Sequence, residues 1–249
     1  MRIAKYAPNF FTCLNLLCGS IAITLAFHGL LHYAAILVGI AAVFDFLDGM
    51  LARLLNAYSS LGKELDSLAD MVTFGFTPAV IILHYLQQTL PDFGLMVSGV
   101  NILSFWAFLI TIFSALRLAK FNIDDQQRDS FIGLPTPANA LLIVSFPFLL
   151  YYGDTNNSMY QLLEHITTSF LALILITAAL SYLLVANLPL FSLKFKNYHF
   201  SDNKIRYFFL LGTLILFVVF GLFALPMVVF FYIILSVIHT LISFRNKNA

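Results

Sequence analysis

Eight long apolar stretches follow one another along the chain, separated by short polar turns. Continuous apolar runs of about 18 or more residues are typical of membrane-spanning helices, whereas the strands of a membrane β-barrel alternate apolar and polar positions. The pattern therefore predicts an all-α fold, a polytopic transmembrane bundle of about eight helices. We expect these helices over residues 9–28, 33–55, 64–88, 98–120, 137–152, 162–186, 206–222 and 226–243.

The polar segments between these helices are too short to form a separate soluble domain. The longest of them lie around residues 121–136 and 188–204 and are interpreted as loops. We therefore expect one integral membrane domain over residues 1–249. Within it, residues 1–187 form the main helix bundle, and residues 204–244 add two C-terminal transmembrane helices.

The distribution of charge predicts the orientation of the bundle. Only 10% of the residues are charged and 61% are hydrophobic, with a mean hydropathy of +0.92. With eight helices, both termini lie on the same side as the polar segments 54–63, 117–136 and 188–206, and all 13 Lys and Arg residues fall on that side. Because cytoplasmic loops are enriched in Lys and Arg, we expect both termini to face the cytoplasm in a multi-pass protein of the cell inner membrane.

Four aspartates interrupt this apolar chain between the second and third predicted helices. Asp45 and Asp48 are three residues apart, and Asp66 and Asp70 are four residues apart. Residues at these spacings share one face of a helix, and the turn between the two pairs is short enough to make their helices antiparallel neighbours. The four carboxylates should therefore converge near the cytoplasmic interface.

Converging carboxylates predict a site for divalent cations. Two like charges about 4–5 Å apart repel by roughly 3–4 kcal/mol at an effective dielectric constant near 20, so four of them need protons or cations. Oxygen ligands favour Mg²⁺ or Mn²⁺ over zinc, and the set could hold two ions about 3.5–4 Å apart, as in two-metal phosphoryl chemistry. Gly49 and Ala52 leave room for a ligand, and the planar Arg53 side chain suits phosphate oxygens.

One spaced pattern resembles the signature of the CDP-alcohol phosphotransferases, Asp45-x2-Asp48-Gly49-x2-Ala52-Arg53-x8-Gly62-x3-Asp66-x3-Asp70. These membrane enzymes displace CMP from a CDP-linked lipid or alcohol with a second alcohol. Further segments, over roughly residues 6–196, resemble the members that use L-serine as the acceptor: PNFFTCLNLLCG, ELDSLADMVTFGFTPA, ALRLAKFN and FIGLPTPANA.

The resemblance implies a role for each aspartate. Asp45 and Asp66 would bridge two divalent cations, Mg²⁺ or Mn²⁺, while Asp48 would complete the first site and Asp70 the second. Asp70 would also be the catalytic general base that takes the proton from the serine hydroxyl. The CDP moiety would contact Asn9, Thr12, Gly49, Ala52, Arg53 and Ser59.

The resemblance also implies substrates and partners. CDP-diacylglycerol and L-serine would react to phosphatidylserine and CMP, in a homodimer surrounded by membrane lipids and without a nucleic-acid partner. Candidates for binding serine are Arg117, Lys120, Thr136, Asn139 and Lys194, although Arg117 could instead anchor the chain at the lipid interface. Three alternatives stay open: another acceptor (glycerol 3-phosphate, inositol phosphate or choline), a cation transporter, or a non-catalytic lipid-binding scaffold.

Overall fold

The computed structural model describes residues 6–89, 96–97, 100–123, 130–191, 199–200 and 203–247. Helices dominate these residues, which confirms the predicted all-α bundle. The α-helices are α1 (Ala7–Phe27), α2 (Leu31–Leu54), α3 (Ser60–Asp70), α4 (Thr77–Thr89), α5 (Leu109–Ile123), α6 (Thr136–Tyr152), α7 (Ser158–Thr168), α8 (Phe170–Val185), α9 (Lys204–Phe220) and α10 (Ala224–Lys247).

Two of the membrane-spanning segments are not α-helical throughout. A π-helix, Met71–Phe76, joins α3 to α4, so that Ser60–Thr89 forms one helical span. A 3₁₀-helix, Ile102–Phe108, precedes α5 in the span Ile102–Ile123. π-Helical turns inside α-helices occur frequently at functional sites, and this one begins directly after Asp70.

Among the described residues, five helical segments are long and apolar enough to cross a membrane: α1, α2, the two composite spans, and Lys204–Thr240. The last segment folds back on itself, because the rings of Phe209 and Phe231 lie 5.8 Å apart. The same number of residues in a straight helix would separate them by about 33 Å. Helices α9 and α10 therefore form a hairpin around Gly221, whose φ is +56°.

The predicted single helix over residues 162–186 is wrong. Helices α7 and α8 meet at an angle of 93° at Ser169, whose backbone is extended and whose hydroxyl accepts a hydrogen bond from the Ala172 N–H at 3.4 Å. The reason lies in α7, which buries Leu163 and Thr167 but exposes polar side chains on its other face. An amphipathic helix of this kind suits an interface, whereas α8 is apolar on all sides.

In the part of the chain that the structure describes, two antiparallel pairs of short strands accompany the helices. Strand β1 (Met96–Val97) pairs with β2 (Val100–Asn101), and β3 (Ser130–Ile132) pairs with β4 (Pro189–Phe191). The second pair ties the segment before α6 to the segment after α8.

Contacts between helix ends define the two ends of the bundle. At the end that carries the aspartates, the Lys63 ammonium in α3 donates to the Asn122 carbonyl in α5 at 2.8 Å. At the opposite end, the His32 ring at the start of α2 stacks on Tyr151 at the end of α6 with 3.6 Å between ring centroids.

Close packing of α1 against the π-helix depends on Gly19. A Cβ atom added there would lie 2.8 Å from the Thr73 Cα atom, too close for any real contact. The Thr73 hydroxyl also donates to the Asn15 carbonyl at 3.1 Å, so the two segments are joined next to Asp70.

We expect Gly19→Ala to lower the stability of the bundle by about 1–3 kcal/mol, the usual cost of overpacking. The measurement is the midpoint of thermal unfolding in detergent. Gly39→Ala in α2 is the matched control, because no atom lies within 4 Å of the added Cβ, and it should leave the midpoint unchanged or slightly higher, since alanine favours the helix. Equal midpoints for the two variants would show that the Gly19 contact does not limit packing.

Candidate active site

Three of the four aspartates form a compact group at the ends of α2 and α3. Each of Asp45, Asp48 and Asp66 places one carboxylate oxygen within 4.8 Å of the other two. Asp48 is buried and the other two are half-buried. Oxygen atoms so close together are a donor set for a hard divalent cation, and the described residues therefore fit the metal site that the sequence predicts.

Asp70 joins this group from the last turn of α3. The Asp45 carboxyl lies within hydrogen-bonding reach of both Asp66 and Asp70. The Asp70 side chain is only 8% exposed, and its Oδ1 accepts a hydrogen bond from Asn15 Nδ2 at 3.2 Å. We call Asp45, Asp48, Asp66 and Asp70 the carboxylate cluster.

Helix α1 forms one wall of the carboxylate cluster. The Thr12 hydroxyl donates to Asp48 Oδ2 at 2.7 Å, and Asn15 holds Asp70. Asn9 lies one turn before Thr12, with its Oδ1 3.0 Å from the position that a Cβ would take at Gly62. Sequence reasoning named Asn9 and Thr12 but missed Asn15, which the spacing Thr12–Asn15–Gly19 on one helix face could have indicated.

The remaining residues predicted to contact CDP border the cluster toward the end of the bundle. Gly49 and Ala52 are half-buried on α2. The exposed Arg53 side chain folds back, with Nη1 3.8 Å from the position of a Cβ at Gly49. Ser59 caps α3, because its hydroxyl accepts the Gly62 N–H at 2.9 Å.

A second group of polar side chains lies beside Asp70, between α5 and α6. Arg117 is 8% exposed, and its guanidinium lies close enough to Asp70 for an electrostatic interaction. Its Nη1 donates to the Thr136 hydroxyl at 2.9 Å, and Asn139 follows three residues later on the same face of α6. We call Arg117, Thr136 and Asn139 the acceptor pocket.

Several atoms of the acceptor pocket are buried without a hydrogen-bond partner among the described residues. They are Arg117 Nε and both amide atoms of Asn139, a residue with no exposed surface. An unsatisfied buried polar group costs about 1–3 kcal/mol, so such a group usually serves a ligand or water. The burial of Arg117 favours a pocket residue over a lipid anchor.

The two other residues predicted to bind serine are Lys120 and Lys194. Lys120 is exposed, near the end of α5. Lys194 lies outside the described residues.

The sequence profile of the CDP-alcohol phosphatidyltransferase family matches residues 5–182. This chain belongs to that family. The matched range contains the whole carboxylate cluster and the whole acceptor pocket. A CDP-alcohol phosphatidyltransferase is an enzyme, and this membership sets aside the cation transporter and the non-catalytic scaffold.

Individual relatives in this family carry more specific names. A CDP-diacylglycerol–serine O-phosphatidyltransferase of Bacillus subtilis is 39% identical over 155 residues, which are 60% of this chain and 82% of that protein. One from Helicobacter pylori is 40% identical over 139 residues, 55% of each chain. An archaetidylserine synthase of Methanothermobacter thermautotrophicus is 35% identical over 149 residues, 59% of this chain and 60% of that protein.

The alignment therefore spans little more than half the length of the last two relatives. Their names share serine as the acceptor, although the lipid part differs between diacylglycerol and archaeal lipids.

Proposed function

We propose that this CDP-alcohol phosphatidyltransferase transfers the phosphatidyl group of CDP-diacylglycerol to the hydroxyl of L-serine and releases CMP. The names of the relatives support serine as the acceptor. The structural observation that carries the proposal is the buried Arg117, which lies beside Asp70 with an unpartnered Nε. The positive charge of Arg117 near the proposed base suits an acceptor that has a carboxylate close to its hydroxyl.

The carboxylate cluster is proposed to hold two divalent cations, Mg²⁺ or Mn²⁺. Asp45 is the candidate bridging ligand, because it reaches Asp66 and Asp70 and lies beside Asp48. Asp66 is the second candidate bridge, with Asp48 and Asp70 completing one site each. Bound there, the ions would neutralise the diphosphate and the leaving phosphate.

The proposed reaction is an in-line displacement at the β-phosphorus of CDP-diacylglycerol. The serine oxygen forms the new P–O bond while the bond to the bridging oxygen of the diphosphate breaks, and CMP leaves with that electron pair. Asp70 takes the proton of the serine hydroxyl as general base. Asn15 holds Asp70 through its Oδ1, which leaves Oδ2 for the proton.

The acceptor pocket is proposed to recognise the two charges of serine. The Thr136 hydroxyl accepts the hydrogen bond from Nη1 of Arg117. Nε and Nη2 are therefore proposed to bind a carboxylate in a bidentate manner. The Asn139 amide oxygen can accept from the serine ammonium, and its nitrogen can donate to the carboxylate. Arg117 lies close enough to Asp70, the proposed base, for an electrostatic interaction.

The remaining predicted residues are proposed to bind the nucleotide lipid. Arg53 and Ser59 are exposed at the end of the bundle, where a water-soluble CDP group can enter, and Asn9 and Thr12 flank the cluster on α1. We propose that this end faces the cytoplasm in an inner membrane, as the distribution of Lys and Arg predicts, and that the enzyme is a homodimer.

The substrate assignment is tested with purified protein, CDP-diacylglycerol and a panel of acceptors. We expect CMP release with L-serine and a rate with ethanolamine at least about 30-fold lower, because losing one partner of a buried charge pair costs about 2–5 kcal/mol. Ethanolamine is the matched acceptor, since it lacks only the carboxylate. CMP release that requires glycerol 3-phosphate and ignores serine would refute serine as the acceptor.

A further inference from the structure

The side-chain amide of Asn15 is only half used by the contacts around it. Asn15 has no exposed surface, and its Nδ2 donates to Asp70 Oδ1 at 3.2 Å. Its Oδ1 is buried without a hydrogen-bond partner among the described residues. An unsatisfied buried acceptor costs about 1–3 kcal/mol, so this oxygen is expected to contact a ligand or water when the site is filled.

The orientation of this amide follows from its neighbour. An ionised Asp70 can only accept hydrogen bonds, and a rotated amide would place its own oxygen against the carboxylate. The nitrogen therefore faces Asp70 and leaves the oxygen for another partner. The backbone at Asn15 is held as well, because its carbonyl accepts the Thr73 hydroxyl at 3.1 Å.

The unpartnered oxygen lies within reach of a cation bound to Asp70. The oxygen and nitrogen of one amide are about 2.3 Å apart, so Asn15 Oδ1 lies within about 5.5 Å of Asp70 Oδ1. Two oxygens that bind the same Mg²⁺ are up to about 4.2 Å apart, because each Mg–O distance is about 2.0–2.1 Å. A side-chain movement of at most about 1.3 Å therefore brings both oxygens onto one ion.

The position of Asn15 favours a metal ion over the ammonium group of serine as the partner of this oxygen. Asn15 is on α1, which forms a wall of the carboxylate cluster, and Thr12 on the same helix face donates to Asp48 Oδ2 at 2.7 Å. The acceptor pocket is formed by other helices, α5 and α6. An amide oxygen is also a hard ligand, of the type that suits Mg²⁺ and Mn²⁺.

A neutral ligand suits the charge balance of the site. Four carboxylates carry as much negative charge as two divalent cations neutralise, and the diphosphate of the substrate adds more. A fifth carboxylate on α1 would repel this diphosphate, whereas an amide oxygen adds a ligand without adding charge.

We propose that Asn15 Oδ1 is a ligand of the divalent cation that Asp70 binds. The nitrogen of this amide orients Asp70, and its oxygen completes the cation site from the α1 side. This inference rests on the proposed function, because it takes the carboxylate cluster as the site of the cations.

The test changes the metal preference of position 15 and does not depend on turnover. Asn15→Cys introduces a soft sulfur ligand, and Asn15→Ser is the matched control, with a hard oxygen on a side chain of the same length. Mn²⁺ is bound to the purified protein without substrates and displaced with Cd²⁺, while electron paramagnetic resonance measures the free Mn²⁺. Because thiolates favour soft cations, half-displacement in Asn15→Cys should need at least about tenfold less Cd²⁺ than in Asn15→Ser.

A spectroscopic readout identifies the bond itself. A bond between Cd²⁺ and a thiolate absorbs ultraviolet light by charge transfer. Asn15→Cys should gain this absorption relative to the wild type, which has the same Cys13 and Cys18, and Asn15→Ser should not.

Asn15→His is a second variant, close in shape to asparagine, in case the thiol is not tolerated. Imidazole suits Zn²⁺ better than Mn²⁺, so displacement of Mn²⁺ by Zn²⁺ should become easier than in the wild type. Unchanged metal preference in the folded variants, with no added absorption in Asn15→Cys, would overturn the proposal and leave water as the partner of the oxygen.

Failure of the proposed function has different signs. A wild type that binds no Mn²⁺ refutes the cation site of the carboxylate cluster. A wild type that binds Mn²⁺ but releases CMP without dependence on serine refutes the acceptor, and the metal preference of Asn15→Cys should still shift.

Discussion

Replacing Asp70 with asparagine is expected to lower the turnover of CDP-diacylglycerol by about 10²–10⁴-fold, the range that a positioned general base contributes. Asparagine has the same shape and can still accept the hydrogen bond from Asn15. It cannot take the proton of the attacking hydroxyl. The measurement is the initial rate of CMP release at saturating serine.

Binding of the nucleotide lipid should persist in this variant. The residues proposed to contact CDP lie on α1, α2 and the start of α3, and the amide oxygen of an asparagine at position 70 can still serve as a ligand of the cation site that Asp70 is proposed to complete. We therefore expect the dissociation constant for CDP-diacylglycerol to change much less than kcat. Full activity of Asp70→Asn would remove this residue from the base role.

Asn15→Leu is the informative companion to this variant. It leaves the Asp70 carboxylate in place but removes the amide that holds its Oδ1. We expect a smaller loss, about 10-fold, in line with the loss of one orienting hydrogen bond to a charged group. A loss as large as that of Asp70→Asn would mean that Asn15 does more than orient the base.

The convergence of the aspartates could be predicted from the sequence because it depends on local geometry. Asp45 and Asp48 are one helical turn apart, as are Asp66 and Asp70, and a short turn joins the two helices. Helix periodicity places each pair of aspartates on one helix face, and the short turn between the helices brings the two faces together. The same reasoning predicted most of the apolar helices to within a few residues, but it gave one helix over residues 162–186 where the structure has two.

Features that depend on contacts between distant segments could not be predicted in this way. Asn15 looks like an isolated polar residue in an apolar helix until α1 is placed against the end of α3. The bend at Ser169 depends on an extended backbone, and the sequence has no glycine or proline there that would predict a turn. The polar side chains of α7 are the feature of this segment that indicates the bend. Tyr232 lies 41 residues from Phe191, whose carbonyl accepts its hydroxyl hydrogen, and nothing in either local pattern connects them.

The carboxylate cluster and the acceptor pocket meet at Asp70. Its carboxyl lies within hydrogen-bonding reach of Asp45 and close enough to Arg117 for an electrostatic interaction. This position suits a group that is proposed to accept a proton from one substrate while cations on the neighbouring carboxylates bind the diphosphate of the other. The π-helix that follows, packed on Gly19 through Thr73, fixes this boundary from the α1 side.

Asp45→Asn is expected to lower turnover by about 10³-fold or more, because several kcal/mol of charge stabilisation depend on ions held by the carboxylate cluster. Asp45 is chosen because it lies beside all three other members of the cluster. Without added divalent cations, the variant should be at least as stable as the wild type, since the substitution removes like-charge repulsion.

The sign of the stability change distinguishes a metal site from a packing network. In the wild type, Mg²⁺ or Mn²⁺ at about 100 times its dissociation constant should stabilise the fold by about 2.7 kcal/mol, and in Asp45→Asn most of this gain should disappear. Glu64→Gln, an exposed change on α3, is the control and should keep both the gain and the turnover. If the aspartates only paired with basic residues, Asp45→Asn would instead destabilise the cation-free protein, and added cations would stabilise neither form.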